Sequence, residues 1–119
     1  MYFSSQQRER QKEINHFILT EWDDALSVYN EYDRLYIPVW HRLNYCHAWY
    51  CEIGDYVFLK SYDTFVAVYD KYAKIFVDVL RYEYGYTSTS AQHIVKFRNM
   101  CRHIFAFSDI KREYRYYEV

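Results

Sequence analysis

Ser90 and His93 stand three residues apart within RYEYGYTSTSAQHIVKF, residues 81–97, and are the first pair whose types suggest chemistry. A serine hydroxyl becomes a nucleophile when a neighbouring imidazole takes its proton. That chemistry also needs an orienting acid, an oxyanion hole and a pocket. The glycine-flanked elbow that exposes such a serine is missing around Ser90. Hydroxyls directly ahead of an apolar helical stripe are better explained as backbone caps, each contributing about 1 kcal/mol. Thr89 and Gln92 have the spacing of a capping box, with Ser88 the alternative cap. No catalytic residue is expected.

Cys46, Cys51, Cys101 and His103 form the second set, a Cys3His composition that suits zinc. Their spacing argues against it. Cys46 and Cys51 are five apart, while Cys101 and His103 are two apart, a step that turns helical side chains away from each other. The three cysteines read as reduced thiols, and neither metal nor cofactor is expected. Carboxylates show no paired spacing for general acid–base work. Asp23, Asp24, Glu31 and Asp33 read as a solvated helix face, and Asp78, within a strand pattern, is the carboxyl to examine for a shifted pKa.

Binding is better represented than catalysis. Of 119 residues, 23% are aromatic, including 16 tyrosines, more phenol than one core of this size buries with every hydroxyl satisfied. Half-exposed tyrosine is favoured at protein interfaces. The candidate partner-binding residues are Tyr82, Tyr84 and Tyr86, alternating along an expected strand, and Tyr114, Tyr116 and Tyr117 in a tail expected to be the more exposed set. The alternative is a small nucleic-acid face on the last helix, built from Lys96, Arg98 and Arg102 with His93 and His103 beside them. A net charge of −1 gives no global field for an anionic polymer.

The same composition bounds the architecture. A 51% hydrophobic chain of this length is one domain with a real core, and 2 Gly with 1 Pro leave little room for linkers or a phosphate cradle. The polar start MYFSSQQRERQKEINHF does not read as a signal peptide, and no stretch reaches the length of a membrane span, so a cytoplasmic protein is expected.

The elements follow from periodicity. Ile14, Phe17, Ile18, Trp22, Ala25, Tyr29, Tyr32 and Tyr36 recur at helical steps, with polar first turns expected to project. Thr20 with Asp23 divides this region into two helices if it caps, and Pro38 marks its boundary. Residues 39–52 have Trp40, Leu43 and Tyr50 at helical spacing, and a short helix is expected there, making 1–53 the helical portion. Residues 56–86 read as a long hairpin turning at 70–73, with Val68 opposite Ile75, Val66 opposite Val77 and Lys60 opposite Glu83. Ala91, Ile94, Phe97, Cys101 and Ile104 form the stripe of a final helix, completing a hairpin-plus-helix module over 56–107. Residues 108–119 are the Tyr-rich tail, a last strand or a docked extension.

LKSYDTFVAVYD, a following strand and YGYTSTSAQHIVKF together resemble a recurrent module in short uncharacterised proteins of phages and mobile elements of Gram-positive bacteria. In that module a strand of the form L-x-S-Y-x-T-x-V-A precedes a second strand, and a Tyr-Thr/Ser turn leads to a helix carrying His and Lys-Phe. The matching positions are Leu59, Ser61, Tyr62, Thr64, Val66, Ala67, Tyr86, Thr87, Thr89, Ser90, His93, Lys96 and Phe97, within residues 57–97. The resemblance implies a small, accessory, phage-borne protein.

The reading is therefore an α+β domain: N-terminal helices packed on an antiparallel β-hairpin, followed by a capped C-terminal helix. The expected function is non-enzymatic protein binding. Given the resemblance, the partner is a bacterial host protein such as a CRISPR-associated nuclease or another defence effector, which makes this chain an anti-CRISPR or other anti-defence inhibitor. A nucleic-acid-binding regulator is the alternative, and homodimerisation would use the same aromatic surface.

Overall fold

The structure, a computed structural model, describes residues 3–104 and 110–119. Its first element is a single helix, α1 (Ser5–Leu35). Ser4 caps it through a reciprocal box: the Ser4 Oγ accepts from Gln7 N at 3.2 Å and the Gln7 Oε1 accepts from Ser4 N at 2.8 Å. Thr20 starts no second helix; its hydroxyl donates to the His16 carbonyl one turn back. The helix ends at Tyr36, whose extended backbone leads into Pro38.

Residues 39–52 are not helical. They contribute β1 (His41–Arg42) and β2 (Ala48–Ile53), joined by a turn in which Asn44 and Tyr45 take positive φ. A short apolar run does not distinguish helix from strand by periodicity alone, and here pairing with the next strand decides it. That strand is β3 (Tyr56–Ser61), with Cys51 opposite Phe58.

The long hairpin is three shorter strands. A tight turn at Tyr62 and Asp63 folds β3 back onto β4 (Thr64–Asp70), and residues 71–74 connect β4 to β5 (Ile75–Asp78). The second turn falls where the sequence places it, but the register moves by two: Val68 faces Val77 and Tyr69 faces Phe76. The Asp70 carboxylate accepts from Tyr72 N and Ala73 N, and Lys74 sits at φ 60°, so the ladder closes at Asp70 and Ile75. A shift of two keeps Val68, Ile75 and Val77 on one face, whereas the irregularity between Leu59 and Lys60 puts Phe65 on that side and Val66 on the other. Beyond β5 the strand stops because Asp78 Oδ1 accepts from Leu80 N and starts a helical turn, α2 (Leu80–Glu83). Tyr82, Tyr84 and Tyr86 therefore do not alternate along a strand, and Glu83 does not face Lys60.

Helix α3 (Ser88–Ile104) follows, and its cap is Thr87, whose Oγ1 accepts from Ser90 N at 3.2 Å. The chain returns as β6 (Arg112–Arg115), parallel to β5, and completes a six-stranded sheet in the order β1-β2-β3-β4-β5-β6. Both sheet faces are covered. Ile18, Trp22 and Ala25 of α1 pack with Phe58, Val68 and Val77 on one side. On the other, Ile94, Phe97 and Cys101 of α3 pack with Val57, Leu59 and Phe76. Double coverage explains the near-continuous apolar run of β3 to β5, since both pleat faces are interior. Each fully buried large side chain contributes roughly 1.5–3 kcal/mol.

The first turns of α1 are exposed over residues 5–10, and the helix is anchored by the turns that follow. Gln11 and Asn15 are buried against the last strand: Gln11 Nε2 donates to the Arg115 carbonyl at 2.9 Å and Asn15 Nδ2 to the Tyr117 carbonyl at 2.6 Å. Asn15 Oδ1 accepts in turn from Tyr117 N at 3.3 Å. Two amide side chains thus occupy an edge that would otherwise present unpaired backbone.

Candidate functional site

Ser90 and His93 share one face of α3, and the turn after β3 brings Ser61 between them. Ser61 Oγ lies 2.8 Å from His93 Nδ1 and 2.9 Å from Ser90 Oγ. All three side chains are at least nine-tenths buried. Burial lowers the His93 pKa, helped by the positive charges of Lys96 and His47, so its imidazole is neutral at pH 7. The ring of Tyr62 lies 5.9 Å from that of His93 and stacks on His47 at 5.4 Å. Ser61 and Ser90 open onto a cavity of about 210 Å³, lined also by Tyr62, Thr64, Tyr84 and Thr87, with His93 behind Ser61. The sequence pattern named Ser90 and His93 but missed Ser61, which is the hydroxyl that touches the ring. Only the pairing of a serine in one strand with a helix 32 residues later shows it.

The zinc set does not converge. Cys51 packs on the α1 side of the sheet and Cys101 on the α3 side. Among the described residues no group of three or more His, Cys, Asp or Glu is placed to hold a metal ion.

The candidate tyrosines divide. Tyr82, Tyr84 and Tyr86 are at least half exposed around α2. The tail is docked, against the expectation of the greater exposure there: Tyr114, Tyr116 and Tyr117 are half-buried because β6 joins the sheet and α1 holds it. Tyr116 packs on Tyr82 at 5.2 Å, and the Arg81 guanidinium lies 4.7 Å from the ring centres of both Tyr86 and Tyr117. Four of the six tyrosines, with Tyr84 next to them in the chain, thus form one surface with an arginine at its centre. Tyr114 lies apart, packed on Phe17. Sequence reasoning missed Arg81 as part of this set.

The basic helix face is largely committed inside the fold. Arg102 Nη2 reaches Glu113 at 2.7 Å and Arg98 Nη1 reaches the same carboxylate at 3.6 Å. Lys96 remains on the exposed face.

Two carboxyls carry raised pKa values. Asp78 is buried, and burial raises it against the opposing pull of Leu80 N and of Arg115, whose Nε lies 3.2 Å away. Glu21 was not singled out by sequence. Its carboxyl meets that of Asp70 across the α1–β4 contact, and burial together with this neighbour pushes it up to about 7. Tyr56, in the same negative environment, is raised to about 12, chiefly by burial. Carboxylates without paired spacing in the chain are therefore paired in space.

A separate apolar groove of about 530 Å³ runs along the C-terminal end of α1, lined by Ser27, Val28, Tyr32, Leu35, Tyr36 and Ile53. The adjoining Ile37 is 87% exposed.

No protein-family model, curated protein or solved structure matches this chain. Among the described residues no helix is long and apolar enough to cross a membrane.

Proposed function

We propose that this chain binds another protein through the tyrosine and arginine surface around α2. The observation that carries the reading is Arg81 held between Tyr86 and Tyr117, with Tyr82 on Tyr116 beside it. Tyrosine and arginine are enriched among the residues that dominate interface energetics, tyrosine for large contact area at low rotamer cost and arginine for its planar, multi-donor cation. Here the rings are held by one another before any partner arrives, which reduces the ordering cost of association. The exposed faces of Tyr82, Tyr84 and Tyr86 are the contact area. A bacterial defence effector as the partner, and an inhibitory outcome, rest on the resemblance of residues 57–97 to phage-borne modules.

The test is affinity capture from bacterial lysate, with nuclease, comparing the wild type with a Tyr82→Ala, Tyr84→Ala, Tyr86→Ala variant of unchanged thermal stability. A partner retained by the wild type and lost by the variant is the expected result. Recovery of the same proteins by both, or of nucleic-acid-dependent proteins alone, refutes the reading.

A further inference from the structure

We propose that Ser61 is a nucleophile with His93 as its general base, in a small site that accepts a short acyl group from an ester. This goes beyond protein binding and departs from the non-enzymatic expectation of the sequence. The geometry supplies a nucleophile, a base and a cavity, the parts of a Ser–His dyad. Ser61 Oγ is at hydrogen-bond distance from an imidazole nitrogen, 2.8 Å, which meets the reach a base needs. A cavity of about 210 Å³ opens on Ser61, enough for an acyl chain of a few carbons. The buried imidazole is neutral at pH 7 and free to take a proton.

Two further features fit. Tyr62, directly after Ser61, holds φ at 53°, a left-handed conformation that a bulky aromatic rarely adopts. This conformation closes the tight β3–β4 turn and fixes Ser61 at the end of its strand. The amides of Ser88 and Thr89 open α3, where helix geometry leaves N–H groups without intrahelical acceptors, and Thr89 lines the same cavity. Of the groups at this helix start, the Ser90 hydroxyl, 2.9 Å from Ser61 Oγ, is the one placed to donate to a developing oxyanion.

The step balances without an added redox partner. The Ser61 Oγ–H attacks the ester carbonyl, an Oγ–C bond forms, and the proton passes to His93 Nδ1. The tetrahedral intermediate collapses, the C–O bond to the alcohol breaks, and His93 returns the proton to the departing alkoxide. Water then hydrolyses the acyl-serine with the same base.

The test uses the full chain with diisopropyl fluorophosphate, where an Oγ–P bond replaces P–F and fluoride leaves. Intact mass and peptide mapping report the adduct. One equivalent on Ser61 is expected, with a labelling rate that rises with pH through a midpoint below 6.5, the ordinary histidine value. His93→Gln should slow labelling at least tenfold and abolish that pH limb, as loss of a general base does, while Ser27→Ala, on the far groove, should label as wild type. Ser61→Ala must lose the adduct. Ser61→Cys, close in size though a weaker hydrogen-bond donor and acceptor, checks that the fold survives substitution at this position. Folded wild type that stays unlabelled, an adduct on Ser90 or a tyrosine instead, or a His93→Gln profile equal to wild type, overturns the proposal.

Discussion

Replacing Glu21 by Gln should change how stability depends on pH. In the folded chain the Glu21 carboxyl is pushed from 4.5 to about 7, by burial first and by Asp70 second. A folded-state value above the unfolded one means that the native state holds the proton more tightly. Between about pH 4.5 and 7 the native chain therefore binds more protons than the unfolded chain, and its stability falls as pH rises. At 1.36 kcal/mol per pH unit of displacement, the ceiling is roughly 3 kcal/mol. Glu21 is partly open to solvent, and screening reduces this to on the order of 1–2 kcal/mol. Gln cannot ionise, yet its amide can donate to Asp70, so Glu21→Gln should match the wild type near pH 4.5 and exceed it by about 1–2 kcal/mol at pH 8. Contributions from Asp78 and His93 are common to both proteins and cancel in the difference. Urea denaturation midpoints at intervals from pH 4.5 to 8 measure it. Parallel pH profiles for the two proteins, or a variant less stable at pH 8 than the wild type, would refute the reasoning about the carboxyl pair.

Other outcomes follow from the packing. Trp22 is 1% exposed and its Nε1 donates to Glu83 at 2.7 Å, so Trp22→Ala should cost about 3–5 kcal/mol in chemical denaturation. Asn15→Ala removes both bonds to Tyr117 and should speed amide exchange across residues 114–117 while leaving β3 and β4 protected. Cys46 should react with a disulfide reagent in the native state, whereas Cys51 and Cys101, both buried and with thiol pKa values raised by burial, should react only on unfolding. Ile37→Asp, at a position outside the core, should leave stability within about 0.5 kcal/mol of wild type.

Local pattern alone determined several features. The stripe through Ile18, Trp22 and Ala25 and that through Ile94, Phe97 and Cys101 identify the two helices and the faces they bury, because a 3.6-residue period has one structural meaning over such lengths. The turn after Asp70 was legible from its residues, and parity placed Val68 and Val77 on one face despite a two-residue error in register. The α+β class follows from these elements.

What needed the tertiary structure was everything set by partners distant in the chain. Residues 39–52 have no period that excludes a helix, and only a waiting edge on β3 makes Ala48–Ile53 a strand. Gln11 and Asn15 look like solvent-facing residues until β6 arrives about a hundred positions later to accept their amides. Tyrosines 82 and 86 read as a strand pattern, yet Asp78 turns the chain into α2 and sets them beside Arg81 and the tail. Ser61 had no neighbour in the sequence that pointed to chemistry. A hydroxyl gains its chemistry from the group it touches, and that group, His93, is delivered by helix packing and not by spacing.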